Sequence, residues 1–159
     1  MQCLQPAVLG VESSFDLAPE MRKHVLWRLD GGSGTDDNLR WLLDRGYHLH
    51  GKGFSGKRAN ALARHVKRWD TYDIQAQLGR VVPSFDLGRP IDVLVKRRLQ
   101  KGRWRHSYYV STLTFPSKRA FMDKYNQRGA AEIEQFRTDK NGLHLSARRK
   151  QSLEAPKAL

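Results

Sequence analysis

The chain has 159 residues, 39% hydrophobic and 9% aromatic, a balance that suits one folded domain with its own core rather than a disordered chain. It carries 29 Lys+Arg against 16 Asp+Glu, a formal net charge of +13, so an acidic or polyanion-like role is excluded. Cys3 is the only cysteine, which excludes a disulfide framework and a cysteine zinc site. No apolar run approaches the length of a membrane span, and the N-terminus lacks the basic-then-apolar layout of a secretory signal. A cytoplasmic protein without a membrane partner is expected. The cations recur as Lys57-Arg58, Lys96-Arg97-Arg98, Lys118-Arg119 and Arg148-Arg149-Lys150. Spread over several predicted elements, they describe a broad folded surface for a polyanion. Nucleic acid is the favoured polyanion, because each neutralised phosphate releases counterions.

In chain order, residues 1–20 are weakly patterned and contain Pro6 and Pro19. His24–Leu29 reads as a strand with Asp30 at its end, and Gly31-Gly-Ser-Gly34 as a turn. Thr35, Asp36 and Asp37 offer N-caps for a helix carrying Leu39, Leu42 and Leu43, which Gly46 closes. Tyr47–His50 is a second short strand, and a helix is predicted from about Lys57 to Trp69. The alternation strand, helix, strand, helix predicts parallel pairing. Ile74–Val82, Ile91–Leu99 and Arg103–Thr112 then read as three strands of an antiparallel insert, separated by Pro83, Gly88-Arg89-Pro90 and Lys101-Gly102. Ser117 can cap a helix over Lys118–Tyr125, a further helix spans about Ala130–Thr138, and Asn141-Gly142 breaks it before a basic segment.

Two carboxylates stand out. Asp30 lies at the C-terminal end of a strand in an α/β pattern, where ligands bind, although Asp also starts turns for purely structural reasons. Glu132 shares one helix face with Tyr125 and Arg128, because at about 100° per residue the three fall within roughly 60° of one another. The plainer alternative is a solvated Arg128–Glu132 pair, worth a few tenths of a kcal/mol. Glu134 competes with Glu132, but the two project about 200° apart and cannot face one site together.

Gly51-Lys-Gly-Phe-Ser-Gly56-Lys57-Arg58 has the spacing of a phosphate loop, but Arg58 replaces the hydroxyl residue that would bind magnesium. A basic Gly-rich turn, with Lys57 and Arg58 touching a nucleic-acid backbone at a helix N-terminus, is the better reading. His48 and His50 share a strand face without an evident third ligand, so packing or surface positions are expected.

Together these pieces resemble the DDE transposases of bacterial insertion sequences, in the group with the signature Tyr-x-x-Arg-x-x-x-Glu followed by Lys. Here those residues are Tyr125, Arg128, Glu132 and Lys140. The segment from Arg28 through Asp30 to Leu43 is similar to the strand, turn and helix around that family's second catalytic aspartate. Arg45-Gly-Tyr-His48 and Ser107–Thr112 are similar to family segments as well. The resemblance covers about residues 20–150. It implies an α/β, ribonuclease H-like catalytic core, incomplete at the N-terminus, with an antiparallel β insert at about 71–113 before the glutamate helix. Residues 1–20 then form a poorly patterned leading segment, 21–150 the partial catalytic domain and 151–159 a tail.

The implied activity is metal-dependent DNA cleavage and strand transfer in transposition. Asp30 and Glu132 would be the second and third metal-holding carboxylates, with Mg2+ or Mn2+ as cofactor. Tyr125, Arg128 and Lys140 would contact phosphates of the element ends and target DNA, and the full-length protein would form a homodimer. Two departures qualify the match. Lys140 lies one residue beyond the usual spacing from Glu132, and only Asp16 precedes Asp30, on no convincing strand. The expectation is therefore a fragment or truncated transposase in which the two-metal site, and with it activity, is complete only in the full-length protein. The alternative is a non-catalytic basic nucleic-acid-binding module.

Overall fold

The computed structural model describes residues 4–127. In chain order they form α1 (Leu4–Ser14), a 3-10 helix (Pro19–His24), β1 (Leu26–Leu29), α2 (Asp36–Asp44), β2 (His48–Lys52), α3 (Gly56–Ala63), β3 (Trp69–Asp73), β4 (Ala76–Val81), β5 (Asp92–Gln100), β6 (Arg103–Ser111) and α4 (Lys118–Asn126). This is an α/β fold on one mixed six-stranded sheet of order β1-β2-β6-β5-β4-β3.

The first unit follows from local signals. The Thr35 hydroxyl accepts the Asn38 backbone N–H at 3.4 Å and opens α2, with Asp36 and Asp37 in its first turn. Gly46, at φ +90°, ends it in the left-handed conformation that glycine tolerates. The crossover returns the chain parallel to itself, pairing Leu26 with His48 through Leu29 with Gly51.

The β-rich stretch does not form a separate layer. β6 pairs antiparallel with β2, from His50↔Ser111 to Lys52↔Tyr109, so the insert extends the same sheet. β5 and β6 form a long hairpin from Asp92↔Ser111 to Gln100↔Arg103. Lys101 and Gly102, at φ 49° and 72°, make its two-residue turn, both with the positive φ that a type I′ turn needs. The helix expected to reach Trp69 stops at Ala63, and Trp69–Asp73 is instead the edge strand β3. The reason is tertiary: Val66 fills the space that a side chain at Gly79 of β4 would occupy, with a Cβ there only 2.1 Å from Val66 Cγ1. Packing of the 64–68 connection onto β4 overrides helical propensity.

Period-two alternation divides the sheet between two cores. Leu29, Leu49, Val93, Val95, Tyr108 and Val110 face α1, α2 and α3 and meet Val8, Leu39, Leu42, Leu43, Ala59 and Leu62. Leu78, Leu94 and Tyr109 face the other way, under Phe121 and Met122 of α4. Each fully buried Leu or Phe contributes about 1.5–3 kcal/mol. The N-terminal segment, unpatterned as sequence, contains α1. A polar cluster ties it down: the Glu12 carboxylate accepts from Arg45 and from the Tyr47 hydroxyl and pairs with Arg22 at 3.0 Å. Among the described residues no helix is long and apolar enough to cross a membrane.

Candidate active site

The C-terminal ends of the parallel strands β1 and β2 lie at one end of the sheet, the place where α/β folds bind ligands. Asp30 follows β1 directly and is exposed. Its Oδ1 accepts the Ser33 backbone N–H at 3.2 Å, and its carbonyl accepts the same N–H at 3.2 Å. Asp30 therefore does start the turn, as Asp commonly does. Among the described residues nothing bonds its Oδ2, which is left to solvent.

The glycines after Asp30 let β2 come close. A Cβ on Gly31 would sit 3.4 Å from Lys52 Cδ, so the lysine stem lies over the turn beside Asp30. A Cβ on Gly34 would sit 1.9 Å from the Lys52 carbonyl oxygen, while the Gly34 carbonyl accepts the Phe54 N–H at 2.9 Å. Gly34→Ala should therefore displace the turn from β2 and destabilise the fold by about 1–3 kcal/mol, read by urea unfolding. An unchanged midpoint would refute this close approach.

Lys52 shares its sheet face with His50, two residues earlier, and is a cation beside Asp30 that sequence reasoning missed. Its only signal was its place in the Gly-Lys-Gly turn. Lys96 of β5 lies on the same face, over the Tyr72 ring at 5.1 Å. Burial lowers the Lys96 pKa; Asp73 opposes that, and Arg98 and Lys52 add to it.

In the Gly-rich turn after β2, two backbone N–H groups are used within the fold. The Gly53 N–H donates to the Tyr108 carbonyl and the Phe54 N–H to the Gly34 carbonyl, both at 2.9 Å. Ser55 caps α3 by accepting the Arg58 N–H at 3.2 Å. The Arg58 guanidinium forks onto the Asp36 carboxylate, donates to the Tyr108 hydroxyl at 3.3 Å and lies 4.5 Å from the Phe85 ring centroid. It joins α3 to the start of α2; the hydrogen bonds to Asp36 raise its pKa and lower that of Asp36. Lys57 stands exposed on the first turn of α3.

Tyr125 packs its ring against Tyr109 at 4.7 Å and His50 at 6.1 Å. His50 is fully buried against Phe115 and Phe121, and neither ring nitrogen has a hydrogen-bond partner among the described residues. Burial holds its pKa down at about 4. His48 Nδ1 meets Thr112 Oγ1 at 2.9 Å, so both strand histidines occupy packing roles in the fold. Among the described residues no three His, Cys, Asp or Glu side chains gather around one point. Arg128, Glu132, Glu134 and Lys140 lie outside the described residues. The fold thus brings Asp30 and Lys52 together at one end of the sheet and pairs Arg58 with Asp36. No protein-family model and no curated protein matches the sequence.

Proposed function

We propose that the chain carries part of a DDE transposase catalytic core of ribonuclease H-like architecture, with Asp30 and Glu132 as two of its metal-holding carboxylates. The observation that carries this reading is the placement of Asp30: an exposed carboxylate with one open oxygen, directly after a strand paired in parallel with its neighbour, with the Lys52 stem beside its turn. An exposed carboxylate oxygen is the hard donor that Mg2+ or Mn2+ takes. Bound there, such ions would supply an activated oxygen nucleophile and stabilisation of the leaving oxygen in an in-line displacement on DNA. Asp30 is held in position by its bond to the Ser33 N–H, and Lys52 offers positive charge beside it to orient a phosphate. Tyr125, Arg128 and Lys140 serve as further DNA contacts, with Lys57 at the adjacent helix start.

A second reading, a non-catalytic nucleic-acid-binding module, draws support from the Asp30 Oδ1 bond to its own turn, which gives that residue a structural reason to be there. Plasmid nicking with Mg2+ or Mn2+ separates the two. With the strand that carries the first aspartate restored ahead of the chain, the transposase reading expects metal-dependent nicking that falls to background in Asp30→Ala and in Glu132→Ala, with DNA binding retained. Absence of metal-dependent nicking even with that strand restored, or nicking that survives both substitutions, favours the module instead.

A further inference from the structure

The β5–β6 hairpin is exposed on both strands from Arg98 to Arg105. Between Asp92 and Asp123 the sequence holds no carboxylate at all. Arg98 and Arg105 are direct cross-strand partners, on the face that also carries Lys96 and, two residues along β6, Arg103. Like charges placed opposite each other destabilise a ladder by roughly 0.2–1 kcal/mol. Several arginines elsewhere are answered by acids: Arg22 and Arg45 by Glu12, Arg58 by Asp36, Arg68 by Asp70, Arg80 by Asp92. Among the described residues Arg98, Lys101, Arg103 and Arg105 have no such partner. Arg98 reaches only the neutral Gln75 side chain, at 3.4 Å.

The opposite face of the same hairpin is built for stiffness. Arg97 is held between the Trp69 and Trp104 rings, at 4.3 and 4.6 Å, and forks onto the Gln77 side-chain oxygen at 2.8 and 2.5 Å. The exposed apolar groups of the hairpin, Trp104 and Leu99, are cross-strand partners on that face and not among the free cations. The cationic face carries Lys96 and Arg98 on β5 and Arg103 and Arg105 on β6, with successive positions on each strand about 6.8 Å apart along the backbone, while the exposed Leu99 and Trp104 lie on the other face. Guanidiniums match phosphodiester oxygens, which they bind in a forked geometry.

We infer that the hairpin face bearing Lys96, Arg98, Arg103 and Arg105 docks the phosphate backbone of duplex DNA, a separate contact from the Asp30 end of the sheet. The inference rests on the reading above only in taking DNA as the polyanion. Contact is to the backbone, without base readout, so affinity is expected to be the same for unrelated sequences of equal length.

The test is DNA binding by fluorescence anisotropy across a KCl series, using the whole chain. Arg98→Gln/Arg103→Gln/Arg105→Gln is compared with Lys23→Gln/Arg64→Gln/Lys67→Gln, a variant of equal net charge altered at exposed sites elsewhere. The hairpin variant is expected to lose at least about tenfold in affinity near 0.1 M salt and to reduce the salt slope by about 2–3, at about 0.9 per lost phosphate contact. The control is expected to change affinity by less than about threefold. Arg103→Gln alone, next to the turn, carries the same test if the triple variant fails to fold, with a slope change of about 0.9. Equal losses in the two triple variants would overturn the hairpin assignment while leaving the nucleic-acid reading intact. A wild-type chain that ignores DNA and binds phosphatidylserine vesicles instead would overturn both.

Discussion

Acidification from pH 7 to pH 4 is expected to weaken this fold by about 3 kcal/mol through His50 alone. The ring is fully buried between Phe115, Phe121 and Tyr125, and its pKa stands at about 4 against an ordinary 6.5. Burial is the main cause; Arg28 and Lys124 add like charge, and a backbone group of Phe121 works the other way without completing a bond to either nitrogen. Folding therefore keeps the neutral form, whereas the unfolded chain takes up a proton below pH 6.5. The sign follows: the contribution is complete above about pH 6.5, falls as pH drops toward about 4, and is flat below that. At 1.36 kcal/mol per unit, the interval gives about 3 kcal/mol. Urea unfolding of wild type and His50→Leu between pH 7.5 and 4 isolates the effect, since other titrating groups cancel in the difference. His50→Leu removes two unbonded buried nitrogens and should be at least as stable as wild type at low pH. A wild-type-minus-variant difference that stays constant across this range would rule the argument out.

Glu12→Ala should cost a comparable amount, about 3 kcal/mol, at neutral pH. The carboxylate is only 10% exposed and serves three partners on different elements: Arg22, Arg45 of the α2 C-cap, and the Tyr47 hydroxyl. Burial pushes its pKa up, but the bonds from Tyr47 and Arg45 and the charge of Arg22 more than reverse this, so it stays ionised in the fold. Removing it leaves two guanidiniums and a buried hydroxyl without their acceptor, the situation in which a broken buried ion pair is most costly. Because its folded pKa is lowered, the contribution is present above the ordinary carboxylate range and is lost as pH falls through it. Glu12→Gln keeps an acceptor for Tyr47 and should recover part of the loss. Denaturant unfolding at pH 7 decides; a loss under about 0.5 kcal/mol, the range of ordinary surface changes, would show that α1 is not anchored through this cluster.

Both residues were illegible in the sequence for the same reason. Glu12 sits in a stretch with no clear periodicity, and its partners lie 10 to 35 positions away. His50 sits in a short strand where either face reads as half-polar, and only the arrival of α4, some seventy residues later, buries it. Arg58 shows the same gap. As sequence it is a cation in a Gly-rich turn, but the fold places Asp36 and Tyr108 around it, and that arrangement uses the guanidinium internally. Lys52 is the reverse case, an unremarked turn residue that the parallel pairing of β1 with β2 brings beside Asp30.

Short-range chemistry accounts for the boundaries of many elements. Thr35 and Gly46 bound α2, Lys101-Gly102 turns the hairpin, Ser117 opens α4 by accepting the Ala120 N–H at 3.0 Å, and alternation marks the strands from 76 to 111. These are properties of a few consecutive residues, set by backbone conformation and nearby hydrogen bonds. Long-range packing joins the β-rich stretch to the first sheet through β6 and β2, makes residues 69–73 strand rather than helix, and sets which charges are paired. Those outcomes depend on contacts between distant segments, such as Val66 filling the space above Gly79, and on desolvation that no local window contains.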